Sequence, residues 1–193
     1  MPLPDPRQLS AEDASTLLAV VRASIEHGLR EGREMPIDPE RFSEALRARR
    51  ASFVTLRHDG TLRGCIGELE ATRPLVAGVA HHAWAAAFHD PRFRPLAATE
   101  LDRLDAHVAV LSPLEPLAVR GEDELLAVLR PGHDGLLIDD GLRRATFLPA
   151  VWESLPAPHA FLRELKRKAG LPEEGWPPGL RVWRYDAESV PAS

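Results

Sequence analysis

The sequence predicts an α+β fold: a mainly antiparallel sheet built from hairpins and packed with helices. Three observations predict it. Asp59-Gly60 and Asp140-Gly141, dipeptides that favour tight turns, each stand between short runs of strand-forming residues. Stretches with apolar residues at helical spacing separate those runs. No regular strand–helix–strand repeat links them, which argues against a parallel sheet. A chain of 193 residues is long enough for one domain with a full core, with room for a small subdomain. The expected division is an extended proline-rich arm over residues 1–9 and a single domain over 10–193.

In chain order, Ser10 and Asp13 form a capping-box pattern, and Leu17, Val20, Val21, Ser24, Ile25 and Leu29 recur on one helical face. A helix from Ser10 to about Leu29 follows, with Gly28 and Gly32 marking its end. Pro39 opens a short second helix through Phe42, Ala45 and Leu46. Phe53-Val54-Thr55-Leu56 and Leu62–Gly67 are the arms of the first hairpin. Thr72 is placed to cap a helix from Pro74 to about His89, with Asp90-Pro91 ending it. Thr99-Glu100-Leu101 opens a helical turn, and Asp105–Leu111 alternates as a strand, with His107, Ala109 and Leu111 on one face. Glu122–Leu129 is helical. Leu136-Leu137-Ile138 and Ala145–Leu148 make a second hairpin. Two helical segments follow, Pro149–Leu155 and Pro158–Ala169, the latter stopped by Gly170. Arg181–Tyr185 is the last strand.

Composition narrows the function. Hydrophobic residues make up 44% and charged residues 27%, as in soluble globular chains. A formal charge of -5 argues against a dominant nucleic-acid surface. One cysteine excludes an internal disulfide framework and a cysteine-rich zinc site. The N-terminus lacks a signal-peptide pattern, and the uncharged run from Pro74 to Phe88 is too short to span a bilayer. A cytoplasmic location, without membrane, is the expectation. There is no GxGxxG or phosphate-binding loop, so no nucleotide cofactor is expected. His82 and His89 share a helix face but have no partner at i,i+4 and no HExxH pattern, so no metal site is expected.

The chemistry concentrates in Leu62-Arg63-Gly64-Cys65-Ile66-Gly67, which places the lone thiol in mid-strand. Cys65 has three readings: a nucleophile needing a base, a group-accepting or redox thiol, or a small buried hydrophobe. His107 is the preferred candidate base, because its strand could lie beside the hairpin. Arg63 shares a strand face with Cys65, and a cation there favours the thiolate. Gly64 and Gly67 either make room for a ligand or permit close contact with another element.

This hexapeptide, with Phe53-Val54-Thr55-Leu56 and Gly60 before it, resembles the signature of the AMMECR domain family, which includes protein A of the AmmeMemoRadiSam system. Further stretches match in order: Ala86–Phe93, Val110–Pro116, Gly132–Ile138 and Lys168–Leu171. The resemblance covers about Leu17 to Tyr185. It implies an α+β fold and an association with a radical-SAM protein and a Memo-like protein that modify a protein, RNA or small molecule. The radical chemistry would belong to that partner, since this chain lacks the cysteines of an iron–sulfur cluster. Glu68, Asp90, Arg92 and Asp134 are, with Arg63, the polar groups inside the matched motifs and hence candidate binding residues. Asp90 and Arg92 around Pro91 either tie a loop together or contact substrate. Asp134 either satisfies its own turn or presents a carboxylate to a cleft.

Arg163, Lys166, Arg167 and Lys168 form a basic helical end, read as a solvated face with RNA as the weaker alternative. Similar proteins often carry a second cysteine where Lys166 stands and a glutamine where Ala150 stands, so a mechanism using two thiols of this chain is excluded. Two readings remain. One is an enzyme component acting through Cys65; the other is a binding module that docks a peptide, RNA or partner protein at the same motif.

Overall fold

The computed structural model describes residues 9–191, so the expected arm over residues 1–9 lies, apart from Leu9, outside the described residues. The described residues form two compact units, one of residues 9–111 and 188–191 and the other of residues 112–187.

In the first unit, α1 (Ala11–Glu31) begins on Ser10, whose hydroxyl and main-chain N–H exchange hydrogen bonds with Asp13, and ends on left-handed Gly32. The reciprocal box satisfies donors that the first helical turn leaves open. Gly28 does not end α1. It lies inside the helix, where a Cβ would stand 2.4 Å from the Phe88 ring. A short α2 (Glu44–Arg47) leads into β1 (Ser52–His58) and β2 (Thr61–Glu68). The turn between those strands has φ 50° at Asp59 and 75° at Gly60, the left-handed pair that a two-residue hairpin needs. Helix α3 (Leu75–Phe88) starts on Pro74 without a side-chain cap. Thr72, expected as that cap, instead donates its hydroxyl to Glu68.

A 3-10 turn (Ala98–Arg103) precedes β3 (Leu104–Leu111), and the sheet runs β2-β1-β3-β8. Its last member, β8 (Ala187–Pro191), follows the strand that the sequence marks as final. Alternation sends Val54, Leu56, Val108 and Val110 to one face, where they join Leu17, Val21, Ile25, Val76, Val79 and Ala83 in a sealed core. At about 25 cal/mol per Å² of apolar surface, this burial is the main driving force of the unit.

The second unit holds β4 (Glu115–Leu117), α4 (Glu122–Val128), β5 (Gly135–Asp139), β6 (Arg144–Phe147), α5 (Pro158–Ala169) and β7 (Arg181–Tyr185). Its sheet order is β4-β7-β5-β6. Leu136, Ile138 and Val182 pack with Leu125, Trp152, Phe161, Leu162 and Leu165, and Trp152 stacks on Phe161 at 3.9 Å. The α+β class with antiparallel pairing is therefore observed, as two sheets instead of one. The three-residue β4, with proline at its centre, carries too little pattern to be legible in advance. No helix among the described residues is long and apolar enough to cross a membrane.

One expectation fails in this unit. The cationic end of α5 is not uniformly solvated, because Lys166 is fully buried. Its ammonium donates to Glu122 at 2.7 Å and to the carbonyls of Gly175 at 2.7 Å and Glu173 at 3.2 Å. A buried ammonium persists when a carboxylate and further acceptors meet its three donors.

Candidate functional site

The position of Cys65 is decided by one irregularity. From the turn outward, His58 faces Thr61 and Arg57 faces Leu62, but Leu56 faces Gly64. Arg63 is the extra residue of a β-bulge, with two residues of β2 opposing one of β1. A regular hairpin from the same turn would pair Cys65 with Val54, on the face sealed by helices. With the bulge, Cys65 pairs with Thr55, and Thr55 in turn pairs with His107 of β3. The three side chains form a row on the other face, all half-buried. Cys65 Sγ and Thr55 Oγ1 are 3.2 Å apart, as a hydrogen-bonded pair. His107 lies two strands from Cys65, about 10 Å between Cα atoms, with Thr55 between them. The expected base thus shares the face of the sulfur without adjoining it.

Strand β2 is the edge of its sheet, so the main-chain groups of Cys65 need partners from elsewhere. Asp90 and Arg92 supply them. Helix α3 ends before Asp90-Pro91, and the loop returns Asp90 to the strand. The Cys65 N–H donates to Asp90 Oδ2 at 2.9 Å, and Arg92 Nη2 donates to the Cys65 carbonyl at 3.3 Å. The guanidinium also grips Asp90 through Nε at 3.0 Å and Nη2 at 2.7 Å, with the Arg92 N–H at 3.1 Å. The Asp90 carboxylate is only 1% exposed, while the Arg92 side chain is 54% exposed. Hydrogen bonds from Arg92 and from the Cys65 amide hold the Asp90 carboxyl well below the usual carboxylate range, against the opposing effect of burial. Asp90 in turn raises the Arg92 guanidinium above its ordinary value. The cation on the Cys65 main chain is therefore Arg92.

Arg63, expected there, points elsewhere. Its Nε and Nη2 hold Glu100 at 2.6 and 3.1 Å, and Nη2 also reaches the Arg94 carbonyl at 2.9 Å. This fork pulls the Glu100 carboxyl down to about 2. The Phe93 ring centroid lies 5.9 Å from the Arg63 guanidinium and 5.4 Å from that of Arg92.

The glycines of the motif have structural occupants. A Cβ on Gly64 would stand 2.2 Å from the Ala86 carbonyl oxygen, so α3 rests directly on β2 there. A Cβ on Gly67 would meet the Phe53 ring at 2.3 Å and the Ser52 carbonyl oxygen at 2.4 Å. Glu68 ends β2, accepts from Thr72 at 2.8 Å and lies 3.7 Å from Arg73. Asp134 belongs to the other unit, fully buried, and accepts from Arg130 Nε and Nη2 at 2.8 and 2.6 Å and from the Arg130 N–H at 2.8 Å. It closes its own loop.

His82 is also engaged, with Nδ1 3.1 Å from the buried Ser52 hydroxyl, and burial pushes its pKa down to about 4. His89 packs on Trp84 at 4.2 Å. Sequence reasoning missed Thr55, Glu100 and Phe93. Thr55 lies within the first strand of the hairpin, but its pairing depends on the bulge. Glu100 and Phe93 reach the motif through loops whose paths no local pattern encodes.

Comparison with known proteins places this arrangement. The AMMECR1 family model matches residues 18–190. The chain belongs to the AMMECR1 family. A protein of Methanothermobacter thermautotrophicus is 38% identical over 186 residues, covering 93% of this chain and 94% of its own. A protein of Thermotoga maritima is 39% identical over 166 residues, covering 85% and 90%. Among solved structures, uncharacterized protein PH0010 from Pyrococcus horikoshii superposes with a TM-score of 0.82 at 30% identity, covering 94% of this chain and 92% of that one. The AMMECR1 match includes the bulged hairpin, the Asp90–Arg92 loop and the row through Cys65.

Proposed function

We propose that the chain is a component of a modification system that works through the half-buried face of β1–β3, with the Cys65 thiol as the attacking or accepting group. One observation carries this reading. The bulge turns the sulfur away from the sealed core, while Asp90 and Arg92 fix its main chain through the Cys65 N–H and carbonyl. Such a thiol has fixed position and partial access, two conditions that a reacting cysteine needs. Phe53 and Thr55 give the same face an apolar and a hydrogen-bonding surface for an incoming group. The expected partners are a radical-SAM protein, which would supply the radical chemistry, and a Memo-like protein. RNA is the less favoured partner at a net charge of -5.

A second reading, a docking module without its own reaction, has a specific observation in its favour. Asp90 is saturated with donors, and His107 stands beyond Thr55, so neither adjoins the sulfur as a base.

The two readings separate in a co-expression experiment with a radical-SAM protein and a Memo-like protein from the same source. Cys65→Ser is expected to retain association with them while the modification of the target is lost. Intact modification by Cys65→Ser removes the thiol role and leaves docking.

A further inference from the structure

A cavity of about 390 Å³ lies in the first unit, on the helix side of its sheet and therefore away from the Cys65 row. Leu18, Val21 and Ile25 of α1, Leu101 of the 3-10 turn, and Leu104 and Ala106 of β3 line it. Its volume falls in the lower part of the range of small-molecule sites, about 300–1,000 Å³. The walls are aliphatic, and the polar side chain among them is Arg22.

Arg22 is poised to take an anion. Its Nε is held by Glu26 at 2.9 Å, an i,i+4 pair that fixes the side chain along α1. Its Nη2 reaches Asp102 only at 3.5 Å, and that carboxylate is 93% exposed. A long, solvated contact of this kind is weak and easily exchanged. A carboxylate entering with an apolar tail would displace Asp102 and gain a fork-type contact while its chain leaves water.

We infer that this cavity binds a small aliphatic carboxylate, with the chain between α1 and β3 and the carboxylate on Arg22. A cationic amphiphile of the same length meets the guanidinium and is rejected. A neutral one gains burial without the anchor.

The test is calorimetric titration of the full chain with octanoate, octylamine and octanol. Octanoate is expected to bind saturably at one site with Kd on the order of 100 µM, and octylamine at least about tenfold more weakly. Arg22→Gln is expected to weaken octanoate about tenfold and to leave octanol unchanged. Ala106→Leu, which adds bulk to the lining, is expected to lose all ligands, with a melting curve confirming its fold. Should that variant not fold, the effect of Arg22→Gln on octanoate against octanol is decisive by itself. No saturable octanoate binding at millimolar concentration, equal binding of octylamine, or an octanoate affinity unmoved by Arg22→Gln would each overturn the inference.

Discussion

At the scale of single residues, Arg92 holds the site together. It supplies side-chain donors to a carboxylate that burial would otherwise penalise, and it caps the carbonyl of Cys65. Arg92→Gln leaves Asp90 buried with fewer donors, and because the lost guanidinium is half exposed and the main-chain donors remain, urea unfolding at pH 7 is expected to show a loss of about 1.5 kcal/mol. Arg92→Lys is expected to restore only part of that, because an ammonium cannot present the same fork. The sign with pH follows from the depressed carboxyl. A depressed carboxyl stabilises the fold above its ordinary pKa, and this is lost as pH falls through the folded value. The smaller depression in Arg92→Gln gives the variant a smaller contribution, which begins to fall at the same ordinary carboxyl pKa and is exhausted at higher pH than in the wild type.

Elements bring these residues together, and here the limits of sequence reading are physical. The Asp59-Gly60 turn, the strands around it and the Ser10–Asp13 box are legible because each rests on short-range chemistry. The bulge is not. Its extra residue is set by α3 lying against Gly64 and by Glu100 drawing Arg63 outward, both contacts distant in sequence. Period-2 alternation alone therefore assigns Arg63 to the sulfur, and it leaves Arg92, which comes from a loop, as a tie or a substrate contact. Likewise β8 carries too little periodic pattern to stand out next to β7. Gly64 allows the expected effect of the helix contact to be measured. Gly64→Ala places a methyl 2.2 Å from a backbone oxygen that no rotamer change can move. A loss of about 3 kcal/mol in thermal or urea unfolding is expected, and a neutral substitution would show that α3 does not rest on β2 there.

For the whole molecule, the buried histidine sets a response to acid. His82 is neutral in the folded chain down to about pH 4, whereas in the unfolded chain it takes up a proton near 6.5. Below 6.5 the unfolded state binds the extra proton, so stability falls as pH drops from about 6.5 toward 4. Unfolding free energy is expected to be about 2 kcal/mol lower at pH 5 than at pH 7 from this group. His82→Gln, which keeps a hydrogen-bonding group for Ser52, is expected to flatten that part of the profile. A profile unchanged by the substitution would place the acid sensitivity elsewhere. The fold class itself is readable from turns and periodicity, but its division into two units is not, because Ser112-Pro113-Leu114-Glu115-Pro116 at the first boundary does not stand out in a chain with 18 prolines, and the second boundary falls inside the Ala187–Pro191 strand.

The measurement that bears most directly on the Cys65 face is the rate of its alkylation by iodoacetamide, followed by intact mass at neutral pH. The same rate is measured for the chain unfolded in guanidinium chloride. A folded-state rate equal to or above the unfolded one, falling in Arg92→Gln while that variant remains folded, is the expected result. A thiol that alkylates only as fast as the protein unfolds would contradict a reactive Cys65 face, since it would place the sulfur in sealed packing.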